Sequence, residues 1–107
     1  MAQPKSETIE ILGAKMHLRR AGKGAPLLFL HGAGGVPAWL PFHDALSEHF
    51  ELLVPDHPGF GASDTPAWLK NIGDAAFCYL DLIEALKLGR LHVVGTSLGG
   101  WIAAEAA

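Results

Sequence analysis

The segment Gly95-Thr96-Ser97-Leu98-Gly99 constrains the fold of this 107-residue chain more than any other. It follows the apolar run Leu91-His92-Val93-Val94 and opens the alanine-rich stretch from Leu98 to Ala107. The spacing predicts a strand, a tight turn and a helix. A G-x-S-x-G in that setting lifts a serine hydroxyl above the edge of a parallel sheet. Such a turn brings the residues two before and two after the serine together, and glycine at 95 and 99 removes the side chains that would collide. Gly100, Ala103 and Ala104 let the following helix press on the sheet. The helix N-terminus beyond Ser97 favours negative charge and so suits a developing oxyanion. A serine hydroxyl is nevertheless a poor nucleophile until a base takes its proton.

The rest of the chain alternates between the two periodicities. Thr8 to Leu12 and Lys15 to Arg20 read as short strands around a Gly13-Ala14 turn, an antiparallel hairpin. Leu27-Leu28-Phe29-Leu30 is apolar throughout, as a strand covered on both faces requires. Trp39 to Phe50 has helical spacing, with Leu40, Ala45 and Leu46 opposite Asp44, Glu48 and His49. Leu52-Leu53-Val54 is a short buried strand ended by Pro55. Asp74 to Leu88 carries Ala75, Tyr79, Leu82, Ile83 and Leu86 on one side and is stopped by Gly89. This order predicts an α/β fold: a mostly parallel sheet after an initial antiparallel hairpin, with helices on both faces. One domain accommodates the whole length, residues 1–107.

Composition narrows the function classes. The net charge of −3 gives no electrostatic basis for nucleic acid or an anionic membrane surface. Cys78 is the single cysteine, so there is no internal disulfide. Met1 to Glu7 lacks the apolar core of a signal peptide, and no apolar run is long enough to span a bilayer, so a cytoplasmic, soluble chain is expected. The mean hydropathy of +0.24 is on the apolar side for such a chain.

Two further motifs lie at the ends of predicted strands. His31-Gly32-Ala33-Gly34-Gly35 follows Leu27–Leu30. An oxyanion hole in this layout combines the N–H after the nucleophile, here Leu98, with an N–H from such a loop, here Ala33 or Gly34. A dinucleotide fingerprint starting at Gly32 would need glycine where Pro37 stands, and no Gly-Lys-Ser/Thr follows, so no nucleotide cofactor is implied. Asp56-His57-Pro58-Gly59-Phe60-Gly61-Ala62-Ser63-Asp64 follows the next strand, at the sheet edge where open α/β sheets build their sites. Asp56 and Asp64 are expected to brace this turn and not to catalyse.

The three motifs, in this order and over essentially the whole chain, resemble the α/β-hydrolase family. The resemblance implies Ser97 as the catalytic nucleophile, with the amides of Leu98 and Ala33 as the oxyanion hole and no cofactor or metal. It implies a small-molecule substrate with a carbonyl centre: an ester, thioester, lactone, or a ketone open to C–C hydrolysis. Relatives that open epoxides or remove halides carry aspartate at the elbow, where this chain has Ser97. The same elbow and hole also serve transferases and cofactor-free peroxidases. The family's acid and histidine follow the serine in chain order, whereas ten residues follow Ser97 here. By resemblance the sequence is therefore an N-terminal portion, ending in the helix after the elbow. Two readings follow: a serine hydrolase lacking its usual acid and base, or an inactive fragment that binds or assembles without turnover. The second reading carries an exposed edge on the Leu91–Val94 strand, a template for self-association.

The six histidines offer no obvious substitute base. His17 sits in an early strand, His43 and His49 on a helix beside the sheet, and His92 below the elbow. His31 is expected to brace the glycine loop by hydrogen bonding. His57 lies on the correct edge and is the least remote candidate. Trp39, Phe42, Phe60, Trp68 and Trp101 are read as core and loop packing, with Trp39 the best candidate for an acyl pocket. Cys78 is read as a small buried hydrophobe.

Overall fold

A computed structural model describes residues 4–36 and 38–107. Met1 to Gln3, part of the segment read above as lacking a signal-peptide core, lie outside the described residues, as does Pro37. Among the described residues, five strands and three helices follow one another as the sequence predicts. They are β1 (Lys5–Ile11), β2 (Ala14–Ala21), β3 (Pro26–Leu30), α1 (Pro41–Ser47), β4 (Glu51–Pro55), α2 (Ile72–Ala85), β5 (His92–Gly95) and α3 (Leu98–Ala106). The sheet order is β1-β2-β4-β3-β5. β2 is antiparallel to both β1 and β4, while β3 is parallel to β4 and to β5. Four strands therefore share one direction, and β2 alone runs against them.

Local chemistry accounts for where the boundaries depart from expectation. The hairpin turns at Leu12-Gly13, not Gly13-Ala14, with φ of 51° and 78° at the two central residues. Ala14 is instead paired with Ile11. Two successive positive φ values match the twist of a right-handed hairpin. Helix α1 is shorter than the Trp39–Phe50 expectation. Pro41 occupies its first turn and holds Leu40 extended, at φ −96° and ψ 163°. Helix α2 begins two residues early because the Asn71 side chain caps it, accepting from the Asp74 N–H at 3.0 Å. It ends at Ala85, before Gly89, and Lys87 takes the left-handed conformation first, at φ 53°.

Helices cover both faces of the sheet, as expected. On one side, Leu27, Phe29, Leu52 and Val54 pack with Leu46 of α1 and with Trp39 and Phe50. On the other, Met16, Leu18, Leu28, Leu30 and Leu53 meet Ala75, Cys78, Tyr79 and Leu82 of α2 and Ile102 of α3. The core is thus split by the sheet, and β3 and β4 contribute alternate residues to each half. No helix of the described residues is long and apolar enough to cross a membrane.

Candidate functional site

Ser97 joins β5 to α3 with φ 52° and ψ −113°, a conformation that costs an L-residue on the order of 1–3 kcal/mol. Neighbouring backbone holds it there. Thr96 N–H donates to Leu30 O at 3.1 Å, continuing the parallel ladder, and Gly99 N–H donates to Thr96 O at 2.9 Å. A Cβ on Gly99 would collide with Leu30 O and lie 2.7 Å from His31 O, and one on Gly95 would lie 2.5 Å from Gly100 N. The two glycines therefore let the start of α3 press on the ends of β5 and β3. Ser97 itself is exposed.

The glycine loop after β3 stands against this turn. A Cβ on Gly32 would lie 3.6 Å from Ser97 Cβ and 3.4 Å from Thr96 O. Gly35 N–H donates to Gly32 O at 3.1 Å and closes the loop, with Ala33 exposed at its tip. Among the described residues, the N–H groups of Ala33 and Leu98 donate no hydrogen bond.

His31 braces the loop as expected: its Nδ1 contacts Gly32 O at 2.6 Å. The third motif packs directly beneath. His57 N–H donates to His31 Nε2 at 2.9 Å, and the two rings stack with centroids 3.6 Å apart. The Phe60 ring meets both edge-on. His57, the least remote candidate base, is committed elsewhere. Its Nδ1 contacts Tyr79 Oη at 2.5 Å and its Nε2 contacts His31 O at 2.7 Å. Burial, then the neighbouring His31, lowers its pKa to about 4. Burial likewise lowers His31 and His43 and holds the Tyr79 phenol well above its usual range. Among the described residues, no hydrogen bond joins a histidine to the Ser97 hydroxyl.

Asp56 and Asp64 are structural here. Asp56 Oδ2 accepts from the Ala62 N–H at 3.1 Å and contacts His17 Nδ1 at 3.0 Å. Asp64 Oδ2 accepts from the Lys15 N–H at 2.8 Å, and Ser63 Oγ accepts from the His17 N–H at 2.9 Å. These bonds stitch the turn to β2. Cys78 is buried with its thiol pushed up to about 11, so it is an unreactive packing group.

Two cavities flank the junction of the loop and Ser97's turn. One of about 270 Å³ lies towards α2 and α3, walled by His57, Phe60, Leu69, Ile72, Leu98 and Ile102. A smaller one of about 130 Å³ lies towards α1, bordered by Phe29, Gly32, Phe42 and Thr96. Phe60 and Phe42 thus stand beside the site, while Trp39, the expected pocket candidate, packs on His43 and donates from Nε1 to Asp44 at 2.7 Å. Trp68 fastens the hairpin by donating to Leu12 O. Trp101 is 58% exposed and so departs from the core role expected of it. Tyr79 lies on the buried face of α2, as its helical spacing predicts, and has in addition a polar role that the spacing does not convey. The signal was present: a phenol on an apolar helix face needs a buried acceptor for its hydroxyl.

Known proteins share the sequence pattern and fold over most of this chain. A 2-hydroxy-6-oxo-2,4-heptadienoate hydrolase of Pseudomonas putida is 33% identical over 93 residues, covering 82% of this chain and 34% of its own length. An uncharacterised protein of Mycobacterium tuberculosis is 32% identical over 106 residues, covering 98% of this chain and 31% of its own. Among solved structures, a bacterial membrane phospholipase A superposes with a TM-score of 0.88 at 29% identity, over 96% of this chain and 34% of that one. An epoxide hydrolase from Vigna radiata gives 0.84 at 27% identity, over 96% of this chain and 35% of that one. The chain therefore spans about a third of the length of the relatives it matches, several of which are hydrolases. Residues 25–107 match the sequence model of the alpha/beta hydrolase fold. With the sheet order, the pinched serine turn and the facing glycine loop, that match shows that the chain belongs to the alpha/beta hydrolase fold family.

Proposed function

We propose that Ser97 is the nucleophile of a hydrolase acting on a carbonyl substrate: an ester, thioester, lactone or the C–C bond of a ketone. The observation that carries this is the Ser97 backbone, held at φ 52° and ψ −113° between two glycines pressed on the end of β3. Strain of this size persists where the surroundings over-determine it, and it aims the hydroxyl out of the sheet edge. The Ser97 oxygen attacks the carbonyl carbon, and the charge on the carbonyl oxygen is taken by the N–H groups of Leu98 and Ala33. The hydroxyl proton passes to a general base, the bond from the carbonyl carbon to its alcohol, thiol or enolate leaving group breaks as that group takes the proton, and water then hydrolyses the acyl-serine to the acid and free Ser97. A relative named for hydrolysing an oxo-dienoate is in keeping with a carbonyl substrate. Serine at the elbow favours that chemistry over epoxide opening.

The lock on His57 favours a second reading for these 107 residues alone. With both ring nitrogens engaged, His57 cannot accept the Ser97 proton. The isolated chain would then bind or self-associate through β5 without turnover. Fluorophosphonate labelling of the purified chain, read by intact mass with Ser97→Ala as control, separates the two readings. A stoichiometric adduct lost in the variant means that a base is being supplied. No adduct on soluble protein means that the serine is presented but not activated.

A further inference from the structure

The contacts among Tyr79, His57 and His31 admit one arrangement of protons, and it runs from the core of α2 to the glycine loop. The backbone groups force it. The His57 N–H can only donate, so His31 Nε2 accepts it at 2.9 Å. A neutral His31 then carries its proton on Nδ1 and donates to Gly32 O. The carbonyl of His31 can only accept, so His57 carries its proton on Nε2 and donates to it at 2.7 Å. His57 Nδ1 is left as an acceptor, and the Tyr79 hydroxyl donates to it. All four bonds are satisfied by two neutral imidazoles and one neutral phenol.

We infer that Tyr79 is a positioning residue for the glycine loop: its hydroxyl donates to the one ring nitrogen of His57 that the backbone leaves free and so anchors His57, which holds His31 by two bonds and through it the Gly32–Gly35 segment against Ser97. The function of that segment as an oxyanion hole rests on the reading proposed above; the clamp itself does not. Three features make the arrangement directional. Tyr79 and both imidazoles are buried, so water cannot replace a lost partner cheaply. The stacked rings and the edge of Phe60 leave His57 little freedom to flip. A second proton fits poorly: on His31 it would face the His57 N–H, and on His57 it would turn the Tyr79 hydroxyl into an acceptor and deprive the buried phenol proton of its acceptor. The titratable groups beside the cluster are Asp56 in the same turn and Cys78 next to Tyr79 on α2.

The test reads the protons directly on the full chain, with no reaction at Ser97. Long-range ¹H–¹⁵N correlation of the histidine rings should show His31 protonated on Nδ1 and His57 on Nε2, both neutral at pH 6. Removing only the hydroxyl, in Tyr79→Phe, leaves the His31 carbonyl to keep the proton on His57 Nε2, so the tautomer should persist while the Nδ1 resonance moves to that of a nitrogen accepting no hydrogen bond. The substitution should also speed amide exchange at His57 and Gly35 about tenfold relative to the β1–β2 amides. The opposite tautomer of His57 in the wild type, or a charged ring at pH 6, overturns the inference even if the variant does not fold. So does an unchanged His57 Nδ1 resonance in Tyr79→Phe, or exchange that is unchanged at His57 and Gly35 or faster uniformly across the sheet. A failed fluorophosphonate label would count against the nucleophile and leave these signals unaffected.

Discussion

β4 and β5 are both parallel neighbours of β3, both short and both read from apolar runs, yet their surroundings are opposite. In β4, Leu52 and Leu53 are 0% exposed and Val54 is 1% exposed. In β5, Val93 is 43% exposed and Val94 40%. The difference lies in cover and not in composition. Among the described residues, β4 is flanked by β2 and β3, while β5 pairs with β3 alone. On the helix side, Val93 borders an open apolar hollow with Leu80, Ile83 and Ala103, whereas the β4 side chains are sealed by α1 on one face and α2 on the other. An apolar run specifies a strand; what buries it is decided by its neighbours. The β5 end of the sheet also carries Ser97, so the candidate chemistry sits at the less covered side of the molecule.

The largest change is expected at the seam between the two regions. Gly99→Val drives side-chain atoms into Leu30 O and His31 O and should cost about 3 kcal/mol or more, seen as loss of the cooperative thermal transition. A variant melting like the wild type would show that the pinch at β5 is slack. Next, Leu53→Ala in β4 should lower stability by about 2–5 kcal/mol, while Val93→Ala in β5 should cost about 1 kcal/mol or less. Equal losses in urea titrations would erase the distinction between the strands.

Acid should weaken the covered side through His57. Its folded pKa of about 4 lies below the ordinary 6.5, so the unfolded chain binds the proton first. Its contribution is complete above pH 6.5, declines as the pH falls and is lost by about pH 4, worth on the order of 3 kcal/mol. Stability measured between pH 4 and 7 should follow this slope in the wild type and flatten in His57→Gln; parallel curves would remove His57 from the account. The smallest effect belongs to the edge. Under the proposed self-association, Val93→Lys with Val94→Lys should shift gel-filtration elution towards monomer with unchanged circular dichroism, because charge blunts an open strand edge. Unchanged elution would place any association elsewhere.

Most of this architecture was legible because its determinants are local. The apolar run Leu27–Leu30 reads as a doubly covered strand and is one. The Gly95–Gly99 spacing reads as a pinched serine turn, and Ser97 has the positive φ that such a turn requires. Element ends were less legible because single side chains decide them: Pro41 delays α1, and Asn71 advances α2. The hairpin turn slipped by one residue because Leu12 accepts a left-handed conformation that Leu rarely takes. Within the site, the juxtaposition of Gly32 and Ser97 was expected from motif order, whereas the phenol of Tyr79 signals only that it needs an acceptor, and nothing local says that His57, 22 residues away, is the one.

By itself, then, the sequence determined the alternation of strands and helices, the family, and the serine and glycine loop that mark the sheet edge. Those follow from periodicity and from steric rules acting over a few residues. Only the tertiary structure decided that His57 faces inward as a clamp and not outward as a base, that Trp101 stands in the open, and that one of two similar apolar strands is sealed while the other is bare. Burial and hydrogen-bond pairing are properties of what comes to lie alongside, and here those partners come from elements far apart in the chain.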